Sequence, residues 1–172
     1  ALSQDRSPGV TASYFPDSTS GGMFDFSQVQ SAHYANPALD IVLFDPATGA
    51  AAPLPGASSP DFVELSPSWS PDDKQIAFVR YRNFEKLNIY VVPYNNGKGG
   101  TPAPLLGASH NGRDNYFPEL SPDGRWLAFC QGDASQGFLG RDSSDIYLVP
   151  AKGGKARRLE FNVEGVMDSW HR

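Results

Sequence analysis

Three short apolar runs with the same arrangement of polar and apolar positions recur along the chain. Each starts at a polar residue, continues through four apolar residues and reaches a turn former, at residues 40–44, 88–93 and 145–150. Consecutive apolar positions bounded by turn residues are typical of a strand buried on both faces. The runs start 48 and then 57 residues apart, and a period of about 50 residues predicts a solenoid, a propeller or another array.

A turn motif precedes two of these runs. Ser-Pro-Asp occurs at 70–72 and again 51 residues later at 121–123, and each copy is followed by an apolar run, at 75–79 and 126–130. Proline fixes φ and aspartate bonds to its own backbone, so both copies are predicted turns. With 17 glycines and 15 prolines in 172 residues, each unit is predicted to contain four short antiparallel strands, the middle two sandwiched between neighbouring sheets.

The predicted fold class is therefore all-β, a β-propeller fragment of about three four-stranded antiparallel blades. The first unit lacks the Ser-Pro-Asp motif, and its middle strands are expected at 23–26 and 41–44. The chain stops where a further blade would start, so a fragment is favoured over a ring completed by two copies. Self-association through open blade faces is the remaining alternative. The predicted units are blade 1 at about 12–58, blade 2 at 62–108, blade 3 at 114–162 and the start of a further blade at 163–172.

These motifs carry a family resemblance. Ser-Pro-Asp-Gly at 121–124, Trp-Leu-Ala-Phe at 126–129 and Asp-Ile-Tyr-Leu-Val at 145–149 resemble the WD40-like repeat of bacterial TolB-type propellers. The resemblance covers residues 65–161 well, loops excepted, and residues 23–56 poorly. It implies a periplasmic or otherwise extracytoplasmic location and, for many relatives, the binding of other proteins. Because the fold hosts unrelated activities, function inferred this way is analogy.

Composition excludes several classes of function. The net charge of −5 comes with no basic stripe, so no nucleic-acid partner is expected. No run of 18 apolar residues exists, so no membrane span is expected. Cys130 is the single cysteine, which excludes an intrachain disulfide and a cysteine-based metal site and indicates a buried thiol.

Candidate catalytic and metal-binding residues are sparse. No Gly-x-Ser-x-Gly elbow occurs, and His33, His110 and His171 are far apart in loop-like regions. Asp133, Asp142 and Asp145 bracket a loop that suits Ca²⁺, but solvated turn aspartates are favoured. No metal-ligand spacing or phosphate-binding loop is present, so the sequence predicts no cofactor, no metal and no catalytic residue.

The loops at one end of the predicted strands are better candidates for function. Residues 81–87, 107–116, 131–144 and 162–171 would emerge on one rim, and aromatic and arginine residues grouped there suit recognition. The alternative for Tyr116 and Trp170 is that they cover the core between blades. The candidate rim residues are His110, Arg113, Asp114, Tyr116, Phe138, Arg141, Trp170 and His171.

The sequence therefore favours a non-catalytic recognition or scaffold module that binds a protein or peptide on its rim. The alternative is the propeller part of a larger enzyme. Such a propeller would gate substrates to a prolyl-oligopeptidase-like hydrolase, or it would resemble a sugar lyase.

Overall fold

A computed structural model describes residues 2–5, 39–57, 59, 61–82, 86–132 and 144–164. This part of the chain contains strands and one 3₁₀ turn (Asn95–Gly97), and no α-helix. The strands form one three-stranded sheet, β1-β2-β3, and two four-stranded antiparallel sheets, β4-β5-β6-β7 and β8-β9-β10-β11. They are β1 (Leu2–Asp5), β2 (Leu39–Phe44), β3 (Ala51–Pro53), β4 (Val63–Trp69), β5 (Gln75–Tyr81), β6 (Asn88–Pro93), β7 (Ala103–Pro104), β8 (Asp114–Leu120), β9 (Trp126–Gly132), β10 (Asp145–Pro150) and β11 (Arg157–Arg158).

The three sheets stack face to face in chain order. Ile76 and Phe78 of β5 belong to an apolar cluster with Ile41 of the first sheet, whereas Ala77 belongs to a cluster with Phe129 of the third. The middle strands of the second sheet are therefore buried on both faces, as their consecutive apolar residues predicted. The prediction of an all-β propeller fragment is confirmed.

The first sheet differs from the expected one. β1 pairs antiparallel with β2, with Leu2 opposite Val42 and Asp5 opposite Leu39, on the side where residues 23–26 were expected. Residues 23–26 lie outside the described residues, and β1 precedes residue 12, the expected start of this unit. The reason is that Leu-Ser-Gln-Asp has one apolar residue in four. Its strand conformation comes from pairing with a distant segment, not from a local pattern.

Both full sheets have a bulge in their first strand. The pairing register shifts between Leu65 and Ser68 in β4 and between Tyr116 and Glu119 in β8. At each shift a residue with φ of 52° precedes a proline, in Ser66-Pro67 and Phe117-Pro118. Proline donates no ladder hydrogen bond, so it is tolerated because β4 and β8 are edge strands.

The two Ser-Pro-Asp turns are built alike. In the second turn, the Ser121 hydroxyl donates to Asp123 Oδ1 at 2.7 Å and accepts from the Trp126 N–H at 3.0 Å. Ser70 makes the equivalent bonds to Asp72 and Gln75, at 2.7 and 3.0 Å. The Ser121 bond, followed by those from Arg125, lowers the pKa of Asp123 from its usual 3.8 to about 2.

Glycines in the outer turns set how the sheets dock. Gly56 and Gly107 have φ of 85° and 92°, and a Cβ at either position would overlap a backbone carbonyl oxygen of the next sheet, that of Gly100 or Gly154. In the second junction, the Gly154 N–H donates to Leu106 O at 2.9 Å. Only glycine permits this approach.

We expect Gly107→Ala to destabilise the protein more than Gly112→Ala. Both replacements place a Cβ on a left-handed residue, which costs about 1–2 kcal/mol. Gly112, with φ of 78°, has no atom near the added Cβ, whereas Gly107 has to push the next sheet away, at a further cost of about 1–3 kcal/mol. Urea unfolding of both variants measures the difference, and equal losses would contradict the docking role of Gly107.

We expect Asp123→Asn to be less stable than the wild type near neutral pH, because it removes the ionised carboxylate that the turn stabilises. The folded-state pKa of about 2 lies below the usual 3.8. The carboxylate's contribution is therefore complete above about pH 4 and is lost as the pH falls toward 2. Unfolding curves over this range should show the two proteins converging, and a constant difference would contradict the linkage.

Candidate recognition site

Two loops meet at the end of the strands opposite the Ser-Pro-Asp turns. The carboxylate of Asp114 accepts the Leu87 N–H at 2.9 Å and lies 3.8 Å from Lys86 Nζ. The His110 N–H donates to Asn88 Oδ1 at 2.6 Å. These bonds join the β5–β6 loop to the β7–β8 loop. Residues 62, 80–82, 86–88 and 109–116 at this end are called the rim below.

A network of side-chain amides holds the β7–β8 loop in place. Asn115 is fully buried, and its Nδ2 donates to Asn111 Oδ1 at 3.0 Å and to Arg113 O at 3.1 Å. Gln131 Nε2 donates to Asn115 Oδ1 at 3.0 Å. A buried polar network with its partners in place favours one conformation, so these bonds hold the backbone of the β7–β8 loop.

A buried ion pair lies beneath the rim. Glu64 of β4 and Arg80 of β5 are opposite each other in the sheet. Their side chains are 0% and 10% exposed, and Arg80 Nη2 and Nε donate to Glu64 Oε1 at 2.6 and 3.0 Å. Arg80 Nη2 also donates to Gly56 O at 2.7 Å. The pair therefore connects the second sheet to the outer turn of the first.

Arginine and aromatic side chains alternate across the rim. The Cζ atom of Arg80 lies 4.8 Å from the ring centre of Phe62 and 5.2 Å from that of Tyr90. The exposed Arg82 contacts the same ring, with its Cζ 5.7 Å from the ring centre of Phe62. Tyr90 meets His110 edge to face at 6.1 Å, with its hydroxyl 3.3 Å from Nε2. These five residues, Phe62, Arg80, Arg82, Tyr90 and His110, are called the arginine–aromatic strip.

The structure describes four of the eight residues singled out in the sequence. His110 and Arg113 are exposed on the rim, and Asp114 is buried where it joins the two loops. Tyr116 is 3% exposed and packs edge to face on Phe117 at 5.2 Å, and burial raises the pKa of its phenol. Its position therefore fits the alternative role of covering the core. The other four, Phe138, Arg141, Trp170 and His171, lie outside the described residues.

The sequence analysis missed Phe62, Arg82 and Tyr90 of the strip, and the ion pair below it. One signal was available. Shifting Glu64 and Arg80 by the 51-residue repeat gives Asn115 and Gln131, which also pair across their strands. The second sheet therefore has a charged pair at the position where the third sheet has an amide pair, and the two units differ there.

The described residues contain no group of three or more His, Cys, Asp or Glu side chains that could hold a metal ion. Nor is there, in the same part of the chain, a helix of the length and apolarity needed to cross a membrane.

Removing one member of the buried ion pair should be costly. We expect Glu64→Asn to destabilise the protein by about 3–5 kcal/mol, because the charge of Arg80 stays buried without its partner. The double variant Glu64→Asn with Arg80→Gln recreates the amide pair of the third sheet and should be more stable than Glu64→Asn alone. Urea unfolding of the three proteins measures this coupling. A double variant that is less stable than Glu64→Asn alone would contradict it.

Comparisons with known proteins support the fold. No family model matches the chain. It is 32% identical over 108 residues to the uncharacterized peptidase YuxL of Bacillus subtilis (strain 168), a match that covers 58% of this chain and 14% of that protein. The structure of a putative TolB from Agrobacterium tumefaciens superposes with a TM-score of 0.62 at 22% identity, covering 77% of this chain and 46% of that one.

TolB from Acinetobacter baumannii superposes with a TM-score of 0.52 at 25% identity, covering 73% of this chain and 27% of the other. The chain spans less than half the length of each of these relatives. The stacked antiparallel sheets and these superpositions together show that the chain has the TolB-type β-propeller fold.

Proposed function

We propose that the chain is a recognition or scaffold module that binds a protein or peptide on its rim. The observation that carries the proposal is the arginine–aromatic strip. Arginine and tyrosine are over-represented among the residues that dominate protein interfaces. Here, Arg82 and His110 are exposed at the two ends of the strip, and Phe62 and Tyr90 are half-buried between them.

The hydrogen bonds that hold the rim in place support the same proposal. Binding costs free energy when loops and side chains have to be immobilised. In the β7–β8 loop the backbone is already held by Asn88 and Asn115, and Arg80 is held by Glu64. The rim would therefore meet a partner with little rearrangement.

We also propose that the three sheets are successive blades, at about 12–58, 62–108 and 114–162, with residues 163–172 starting another. In this proposal the first blade also includes β1. A periplasmic or otherwise extracytoplasmic location is part of the proposal and rests on the likeness to TolB structures.

A second candidate is supported by one observation. The 32% identity to a peptidase of Bacillus subtilis favours a propeller that belongs to a larger hydrolase and gates its substrates. This candidate requires a Gly-x-Ser-x-Gly segment in the longer protein. Hydrolysis of peptide substrates by that longer protein, lost when the serine of the segment is replaced, would favour it over a pure recognition module.

The binding proposal is tested with peptides selected from a displayed random library on the wild-type chain. We expect the double variant Arg82→Ala with His110→Ala to weaken the selected peptides by at least about tenfold, equivalent to about 1.4 kcal/mol. Both residues are exposed, so the fold should survive, as circular dichroism and thermal unfolding would verify.

The matched control is Arg125→Ala with Lys152→Ala, at the opposite end of the strands, where both side chains are also exposed. This control variant should bind the selected peptides with the same affinity as the wild type. Equal binding by the rim variant and the wild type, or loss in the control variant instead, would contradict recognition on the rim.

A further inference from the structure

We propose that the partner segment bound by the rim is acidic, and that Arg82 binds one of its carboxylates. This inference rests on the proposed recognition function and adds the chemistry of the ligand. It follows from the pairing of charges on the rim, where Arg82 has no carboxylate partner among the described residues.

Within the described residues, two cations of the rim are paired with carboxylates, whereas Arg82 is not. Arg80 is bound to Glu64, and Lys86 lies 3.8 Å from the carboxylate of Asp114. Arg82 forms no ion pair with any carboxylate in the described part of the chain, including Asp61 near the ring on which it stacks. Arg82 is thus an exposed cation beside the Phe62 ring.

The geometry of Arg82 suits a carboxylate. Its guanidinium lies over the Phe62 ring, with Cζ 5.7 Å from the ring centre, and Arg80 contacts the same ring at 4.8 Å. An exposed guanidinium has a planar fork of N–H donors that matches a carboxylate with two parallel hydrogen bonds. Lysine cannot present such a fork, so charge alone would not replace Arg82.

The half-buried rings of Phe62 and Tyr90 extend the strip away from Arg82. They offer apolar area for an aromatic or aliphatic side chain next to the acidic one. A peptide that alternates acidic and aromatic residues would therefore use both parts of the strip.

At the opposite end of the strands, the carboxylates are paired within the protein. A groove of about 420 Å³ lies there between the two Ser-Pro-Asp turns, with Asp72 and Asp123 in its lining. The pKa values of both carboxylates are lowered, chiefly by hydrogen bonds from Ser70 and Ser121. Both stay ionised near neutral pH, and each is paired with a neighbouring cation, Asp72 with Lys74 at 3.4 Å and Asp123 with Arg125 at 2.6 Å.

The test uses a fluorescein-labelled peptide of glutamate, tyrosine and serine, and a second peptide with glutamine at every glutamate position. Fluorescence anisotropy measures their dissociation constants for the wild type and for Arg82→Gln, Arg82→Lys and Lys152→Gln. Arg82→Gln and Lys152→Gln remove the same charge, so any difference between them is local.

We expect the wild type to bind the glutamate peptide at least about tenfold more tightly than the glutamine peptide, and this preference to weaken as salt rises. Arg82→Gln should abolish the preference, Arg82→Lys should recover part of it, and Lys152→Gln should retain it. This pattern supports the inference.

Two results would overturn the inference. If both peptides bind the wild type equally while Arg82→Gln still weakens their binding, recognition on the rim would be supported, but the partner would not be acidic. If Lys152→Gln loses the preference as strongly as Arg82→Gln, the attraction is a property of the whole surface. If the proposed recognition on the rim is itself wrong, the library-selected peptides will bind the wild type and the rim double variant equally.

Discussion

The burial of both faces of the second sheet is the constraint on which the rest of the structure depends. Ile76 and Phe78 pack toward the first sheet, and Ala77 packs toward the third, so a sheet on each side is needed to remove this surface from water. Polar side chains within the stack need partners there, as the Glu64–Arg80 pair shows. The chemistry that remains available to a ligand is therefore concentrated where the strands end.

The distance between sheets is fixed by backbone contacts as well as by the apolar core. Gly56 and Gly107 bring the outer turn of one sheet against the hairpin of the next, and Arg80 adds a hydrogen bond to Gly56 O at the first junction. Rigid docking matters for the rim because Asn115 of the third sheet donates to Leu87 O of the β5–β6 loop, from its N–H at 3.0 Å and from its Nδ2 at 3.3 Å. A shift between sheets would separate the groups that hold Asn115 and, with it, the loop of His110.

Local sequence signals explain which parts of the fold could be predicted. Consecutive apolar residues predicted the middle strands, and the side-chain chemistry of Ser-Pro-Asp predicted the turns. β1 was missed because its sequence has no apolar pattern of its own. The arginine–aromatic strip was missed because Phe62, Arg80, Tyr90 and His110 meet only after strands pair and loops fold back, and no spacing along the chain encodes such contacts. His110 and Arg113 were found because the topology alone places their loop at this end.

Comparison of the repeats shows that the packing of the core recurs while a neighbouring position toward the rim changes. The aromatic pair Phe78–Tyr90 has an equivalent in Phe129–Tyr147, with ring centres 6.3 and 5.8 Å apart, because both pairs fill the same space between sheets. The neighbouring position toward the rim has no such constraint, and Arg80 is replaced there by Gln131. The packing of the core thus repeats from sheet to sheet, while the chemistry of the rim is set separately at each junction. In the proposed recognition, a partner of the arginine–aromatic strip would bind at the first junction, where Arg80 lies.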